Sequence, residues 1–118
     1  MQKLAKALSI FREKINTVKK DASNPFFKSV YADLPSILDA IKPALKESGL
    51  AVFHNLKNDN WYSLHTTLIE IESGENVTSE FPVYWNKPQE VWSSITYARR
   101  YNLLSLLDIP TDEDDDGN

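Results

Sequence analysis

Hydrophobic residues at the start of the chain recur every three or four positions, which is the period of one face of an α-helix. The positions that keep this period are Leu4, Leu8, Phe11, Ile15 and Val18. They predict a helix from about Gln2 to Lys20. Most of the charged residues in this segment are lysine or arginine, so the helix face opposite to the hydrophobic one is predicted to be basic.

The period breaks between Asp21 and Asp33, where the pair Asn24-Pro25 disfavours a helix. This stretch is predicted to be an ordered loop. A second helix is predicted to start near Pro35 and to end at Gly49, because proline suits a first helical turn and glycine suits a helix end. Its predicted buried positions are Ile37, Leu38, Ile41 and Leu45.

From Leu50 onward the hydrophobic period changes to two, as in β-strands. The predicted strands are Leu50–Lys57, Trp61–Glu72 and Asn76–Trp85, and the segments 58–60 and 73–75 are typical hairpin turns. The pattern therefore predicts a three-stranded antiparallel meander.

A last helix is predicted from Lys87-Pro88 to about Leu107, with Pro110 ending it. Its apolar residues spread around most of its circumference, so little of it is expected to face water. The predicted fold class is α+β, in the order α, α, β, β, β, α. Residues 1–107 are predicted to form one domain, and 108–118 an acidic tail.

Composition supports one compact globular unit, since the chain has 118 residues of which 42% are hydrophobic. Its apolar runs fall far short of a membrane span, so no membrane partner is expected. The chain has no cysteine and opens on an amphipathic pattern rather than a leader. A cytoplasmic location is the resulting expectation.

The net charge of −4 hides a strong segregation of charge. Six acids occupy the last eleven residues; the rest of the chain carries 13 bases and 11 acids, a balance of +2. Met1 to Tyr31 alone has seven bases and two acids, a balance of +5. A basic N-terminal third indicates an anionic partner, with which the acidic tail could compete for the basic segment.

The sequence lacks the residues that most kinds of catalysis need. The three glycines have no phosphate-loop spacing, which argues against ATP hydrolysis. The only histidines, His54 and His65, lie in predicted strands and are interpreted as packing residues rather than catalysts. The expectation is a non-enzymatic protein without a cofactor.

The acidic tail leaves two metal-dependent alternatives open. Asp112, Asp114, Asp116 and Gly117 match the opening of a calcium loop, although no glutamate follows at the twelfth position. Paired carboxylates of a metal-dependent nuclease are the other alternative. A solvated tail that binds no metal is the simpler interpretation.

Basic and aromatic residues are interleaved in a way that suits single-stranded nucleic acid, with cations along the backbone and rings against bases or sugars. The candidate DNA-binding residues are Lys19, Lys20, Phe26, Lys28, Tyr31, Tyr97, Arg99, Arg100 and Tyr101. Each aromatic residue can instead be part of the core. Helical projection directs Arg100 past packed leucines toward a phosphate, and leaves Arg99 between a phosphate contact and a structural ion pair.

Two stretches resemble the ERF family of phage recombination proteins. Asn24–Leu34 (NPFFKSVYADL) with 41–43 (IKP) resembles its N-terminal motif. Ser94–Tyr101 (SITYARRY), with 103–109 and the acidic ending 113–118, resembles its C-terminal motif. The resemblance covers nearly the whole chain. Asp108 and Ser93 depart from it, since glycine is usual at the first position and common at the second.

The resemblance implies ATP-independent binding and annealing of complementary single strands in phage DNA recombination and repair. The implied partners are single-stranded DNA, the annealed duplex and further copies of the chain in a ring or filament, with a host single-strand-binding protein as a further candidate. It also implies a β-β-β-α core similar to that of other strand-annealing proteins. A recombination adaptor that binds no DNA remains an alternative.

Overall fold

A computed structural model describes residues 1–15, 33–84 and 86–109 of the chain. Six elements follow one another in the predicted order α, α, β, β, β, α, and the α+β fold class is confirmed. They are α1 (Gln2–Lys14), α2 (Leu34–Ser48), β1 (Leu50–Asn58), β2 (Tyr62–Glu70), β3 (Asn76–Pro82) and α3 (Pro88–Leu107).

The ends of the first two helices follow from local sequence. The predicted extension of α1 to Lys20 is wrong, because the backbone is already extended at Ile15 (φ −87°, ψ 140°) and the helix ends at Lys14. In α2 the carboxylate of Asp33 accepts a hydrogen bond from the backbone N–H of Ser36 at 2.8 Å, which satisfies one free donor of the first turn. Gly49 ends α2 as predicted, in the left-handed region at φ 76°.

Helix α3 is fixed at both ends. The Glu90 carboxylate accepts hydrogen bonds from the backbone N–H groups of Asn86 at 2.9 Å and Lys87 at 3.0 Å, just before the first turn. At the other end Asp108 has left-handed backbone angles (φ 51°, ψ 48°). That conformation favours glycine, so the departure from the family pattern at this position places an aspartate where the backbone suits glycine.

The three strands form the predicted antiparallel meander in the order β1-β2-β3. One face of the sheet carries Leu64, Thr66 and Leu68 of β2, all of them buried. Both leucines pack in clusters that include helical residues, so the helices lie on this face. On the opposite face Phe53 is exposed, and the hydroxyls of Thr67 and Thr78 are hydrogen-bonded to each other at 2.9 Å.

The core has two parts, and α3 contributes to both. The larger cluster joins α1, α2 and the C-terminal half of α3, where Leu103 and Leu107 are fully buried against Leu68. The smaller one places Ala98 against Leu64. The expectation that little of α3 faces water is wrong for its N-terminal half, where Trp92 is 70% exposed.

Candidate nucleic-acid interface

A row of polar side chains crosses the sheet beneath α3. His54, Thr66 and Ser79 are paired in register across the three strands. The buried amide of Asn102 on α3 joins them: its Nδ2 donates to Thr66 Oγ1 at 2.9 Å and to the Leu64 carbonyl at 3.1 Å. Asn102 Oδ1 accepts from Ser79 Oγ at 3.2 Å. This row fixes α3 on the sheet, and with it the side chains on the two flanks of the helix.

The β3-side flank of α3 is aromatic and consists of Phe81, Tyr97 and Tyr101. Phe81 and Tyr101 are stacked, with ring centroids 5.4 Å apart and planes at 10°. Tyr97 is tilted against Tyr101 at 4.7 Å, and the two hydroxyls are 3.1 Å apart. Tyr97 is nevertheless 52% exposed, so part of this cluster can stack on a nucleobase or sugar.

A shallow groove of about 640 Å³ runs beside this flank, lined in part by Phe81, Tyr84, Asn86 and Tyr97. Tyr84 is 74% exposed, and its backbone N–H donates to Ser94 Oγ at 3.1 Å. The lining therefore combines aromatic faces with polar groups that could contact the edge of a base. Sequence reasoning missed Phe81 and Tyr84, because in a strand pattern they looked like ordinary apolar strand residues.

The β1-side flank of α3 consists of Arg99 and His54 and is polar. Arg99 is half-buried, and its Nε is fully buried without a hydrogen-bond partner. Across the described ranges, no carboxylate lies within ion-pair distance of Arg99, so the structural ion pair considered for it is not found there. Burial, with a further contribution from the Arg99 charge, lowers the pKa of His54 below its usual value of 6.5.

Arg100 occupies a different environment from the one that helical projection predicted. It is only 7% exposed, and its guanidinium lies over the ring of Tyr101, 5.2 Å from the centroid. Arg99 is the more exposed of the two. Contact between Arg100 and a phosphate stays a prediction.

The other candidate DNA-binding residues fall outside the described part of the chain. They are Lys19, Lys20, Phe26, Lys28 and Tyr31, and the acids of segment 112–116 also lie outside it. Within the described ranges, histidine, aspartate and glutamate form no group of three that could hold a metal ion. None of the helices in those ranges is both long enough and apolar enough to cross a membrane.

Comparison with known proteins gives one match. The sequence model of the ERF superfamily matches residues 4–118, nearly the whole chain. No curated protein and no solved structure matches the chain.

Proposed function

The chain belongs to the ERF superfamily, and on that premise we propose that it binds single-stranded DNA and anneals complementary strands without ATP during phage recombination. The family match carries this proposal. The exposed aromatic surface beside α3 supports it, because stacking on aromatic rings holds single strands without sequence preference. Arg99, a cation without a carboxylate partner in the described residues, supports it further.

Homo-oligomerisation, in a ring or a filament, is part of the same proposal. A protomer of this size contacts only a few nucleotides, so a long strand needs many protomers in a row, each binding weakly. The described surface carries large exposed aromatic side chains, namely Trp61, Tyr84 and Trp92, and β1 and β3 form the two edges of the sheet. Exposed rings and sheet edges are common contact sites between protein copies.

The mechanism needs neither catalysis nor sequence readout by the protein. Phosphates neutralised along the strand lower the repulsion between two complementary strands. Bases held loosely against rings remain able to sample partners, and base pairing then supplies the specificity. Annealing is therefore proposed as a consequence of multivalent binding.

The test combines binding and annealing of labelled oligonucleotides in the absence of nucleotide. We expect affinity to fall with salt, with a log–log slope of about −0.7 for each phosphate contacted. We also expect faster annealing of complementary strands, with product strands of unchanged length. A requirement for ATP, affinity indifferent to salt, or magnesium-dependent shortening of the DNA would contradict the proposal. Light scattering that shows only monomer with DNA present would contradict the oligomer.

A further inference from the structure

The polar row beneath α3 determines which nitrogen of His54 carries a hydrogen. Thr66 is fully buried, and its Oγ1 has two partners, Asn102 Nδ2 at 2.9 Å and His54 Nδ1 at 2.8 Å. An amide nitrogen can only donate, so the Thr66 oxygen accepts from Asn102. The Thr66 hydroxyl hydrogen is then satisfied only by donation to His54 Nδ1, because a buried unpaired donor is costly.

A neutral histidine that accepts at Nδ1 carries its hydrogen on Nε2. His54 is neutral near pH 7, since burial and the charge of Arg99 lower its pKa. Its Nε2–H is therefore a donor, and no hydrogen bond to it is found among the described residues. The sheet presents a fixed N–H group at this point.

Helix geometry places Arg99 on the side of α3 where its charge acts on His54 and contributes to the lowered pKa of that residue. Arg99 precedes Asn102 by three residues, so the two side chains are neighbours on the surface of α3. Asn102 contacts Thr66, which contacts His54. The acid nearest in sequence on that face of β2, Glu70, is four residues beyond Thr66 and accepts from the backbone N–H of Ser73 at 2.8 Å. The β1-side flank thus brings together the Arg99 and His54 donors, and no acceptor for them is found in the described part of the chain.

We propose that Arg99 and His54 form a phosphate-binding subsite for the DNA backbone, on the flank of α3 opposite to Phe81, Tyr97 and Tyr101. The inference rests on the proposed function and deepens it. A phosphate oxygen supplies an acceptor to the Nε2–H of His54 and an opposite charge to the half-buried Arg99. Guanidinium groups bind phosphate with two parallel hydrogen bonds. Bases and phosphates of one strand are then held on opposite flanks of the same helix.

Substitutions at Arg99 test the charge and the shape of the subsite. Binding of a labelled oligo-dT is measured across a salt series for Arg99→Gln and Arg99→Lys. We expect Arg99→Gln to bind about tenfold more weakly or worse, with a salt slope flatter by about 0.7. Arg99→Lys should keep the slope and lose less affinity, because it keeps the charge but not the two-pronged geometry.

Lys57→Gln is the matched control. It removes one charge from β1, but Lys57 is exposed and projects from the opposite face of the sheet to His54. We expect it to leave the slope unchanged. If Lys57→Gln flattens the slope as much as Arg99→Gln does, the effect is one of general charge and the subsite is refuted.

A pair of substitutions separates the two nitrogens of His54. Asparagine keeps an acceptor near the Nδ1 position and has no donor at Nε2, whereas glutamine can place an amide N–H near Nε2. We expect His54→Asn to weaken oligo-dT binding about tenfold, as for loss of a hydrogen bond to a charged group, and His54→Gln to weaken it less. Equal losses would refute the role of the Nε2–H.

A measurement on the unsubstituted protein tests the subsite even if the substituted proteins fail to fold. We expect the His54 ring nitrogen resonances to shift when oligo-dT is added and to stay unchanged with thymidine, which has no phosphate. An equal shift with thymidine would identify a base site and overturn the proposal. If the unsubstituted protein does not bind oligo-dT at all, the proposed function fails; if it binds and Arg99→Gln has the same affinity and slope, only the subsite fails.

Discussion

The two flanks of α3 belong to the same few helical turns, yet their side chains differ in whether they find contact partners within the protomer. On the β3 side, Phe81, Tyr97 and Tyr101 contact one another, with ring centroids 4.7 to 6.3 Å apart. On the β1 side, Arg99 and His54 have donors without acceptors among the described residues. The rings of the first flank contact one another within the protomer, whereas a group of negative charge would satisfy the donors of the second. A single strand offers rings and phosphates together, and so can contact both.

Asn102 holds the two flanks together, and its substitution should have the largest effect. Asn102→Leu keeps a similar side-chain volume but removes the hydrogen bonds that Asn102 makes with Thr66 and Ser79. We expect the free energy of unfolding to fall by about 2–4 kcal/mol, measured by urea denaturation. Ser105→Ala, at an exposed position of the same helix, is the control and should change it by less than about 0.5 kcal/mol. Similar losses for both would mean that the polar row does not anchor the helix.

The aromatic flank should contribute to affinity without contributing to the salt dependence. For Tyr97→Leu we expect oligo-dT binding to weaken by about 1–3 kcal/mol for each base stacked, with an unchanged salt slope. Phe53→Leu is the control, because Phe53 is also 52% exposed but lies on the face of the sheet opposite to the helices. A flatter slope for Tyr97→Leu, or equal losses for both variants, would remove the distinction between the flanks.

The sequence predicted the elements well, because their signals are local. Period, turn residues and helix ends are enough to place the three strands, and to place α3 from Pro88 to Leu107. The end of α1 was less predictable, since Ile15 continues the hydrophobic period although its backbone is extended. Periodicity reports which residues are apolar and does not report where the chain leaves a helix.

The site was only partly predictable, because it depends on register between distant residues. Tyr97 and Tyr101 were identified from their own motif, and they lie together as expected for positions one turn apart. His54 was interpreted as a packing residue, since nothing local shows that it pairs with Thr66 or lies near Arg99. The burial of Arg100 against Tyr101 was not predicted, because projection of one helix does not include its neighbours.

A substitution outside both flanks tests whether the effects on binding are specific to them. Asp108 ends α3 in the left-handed region, where glycine is less strained. Among the described residues its carboxylate makes one ion pair, an exposed contact with Arg12 at 3.8 Å. We expect Asp108→Gly to raise the free energy of unfolding by about 0.5–1 kcal/mol, since an exposed ion pair contributes little. Oligo-dT affinity and salt slope should stay unchanged. Weaker binding would show that the end of the helix also takes part.

Mild acidification should lower the free energy of unfolding through His54 on the β1-side flank, and this is the smallest expected effect because the His54 ring is only half-buried. The folded-state pKa of His54 lies below 6.5, so in mildly acidic solution the unfolded chain binds a proton more readily than the folded one. The contribution of His54 is therefore fully present above about pH 6.5 and is lost as the pH falls through its lowered pKa. The pKa values of Glu70 and Glu75 are lowered from 4.5, by hydrogen bonds from Ser73 and from the Leu4 N–H respectively, so these groups respond in a more acidic window. Urea denaturation at pH 7.5, 6.5 and 5.5 should show a decline in the unsubstituted protein and in Tyr97→Leu that His54→Gln lacks. If His54→Gln declines equally, the titrating group is not His54, and the two flanks do not differ in their response to protons.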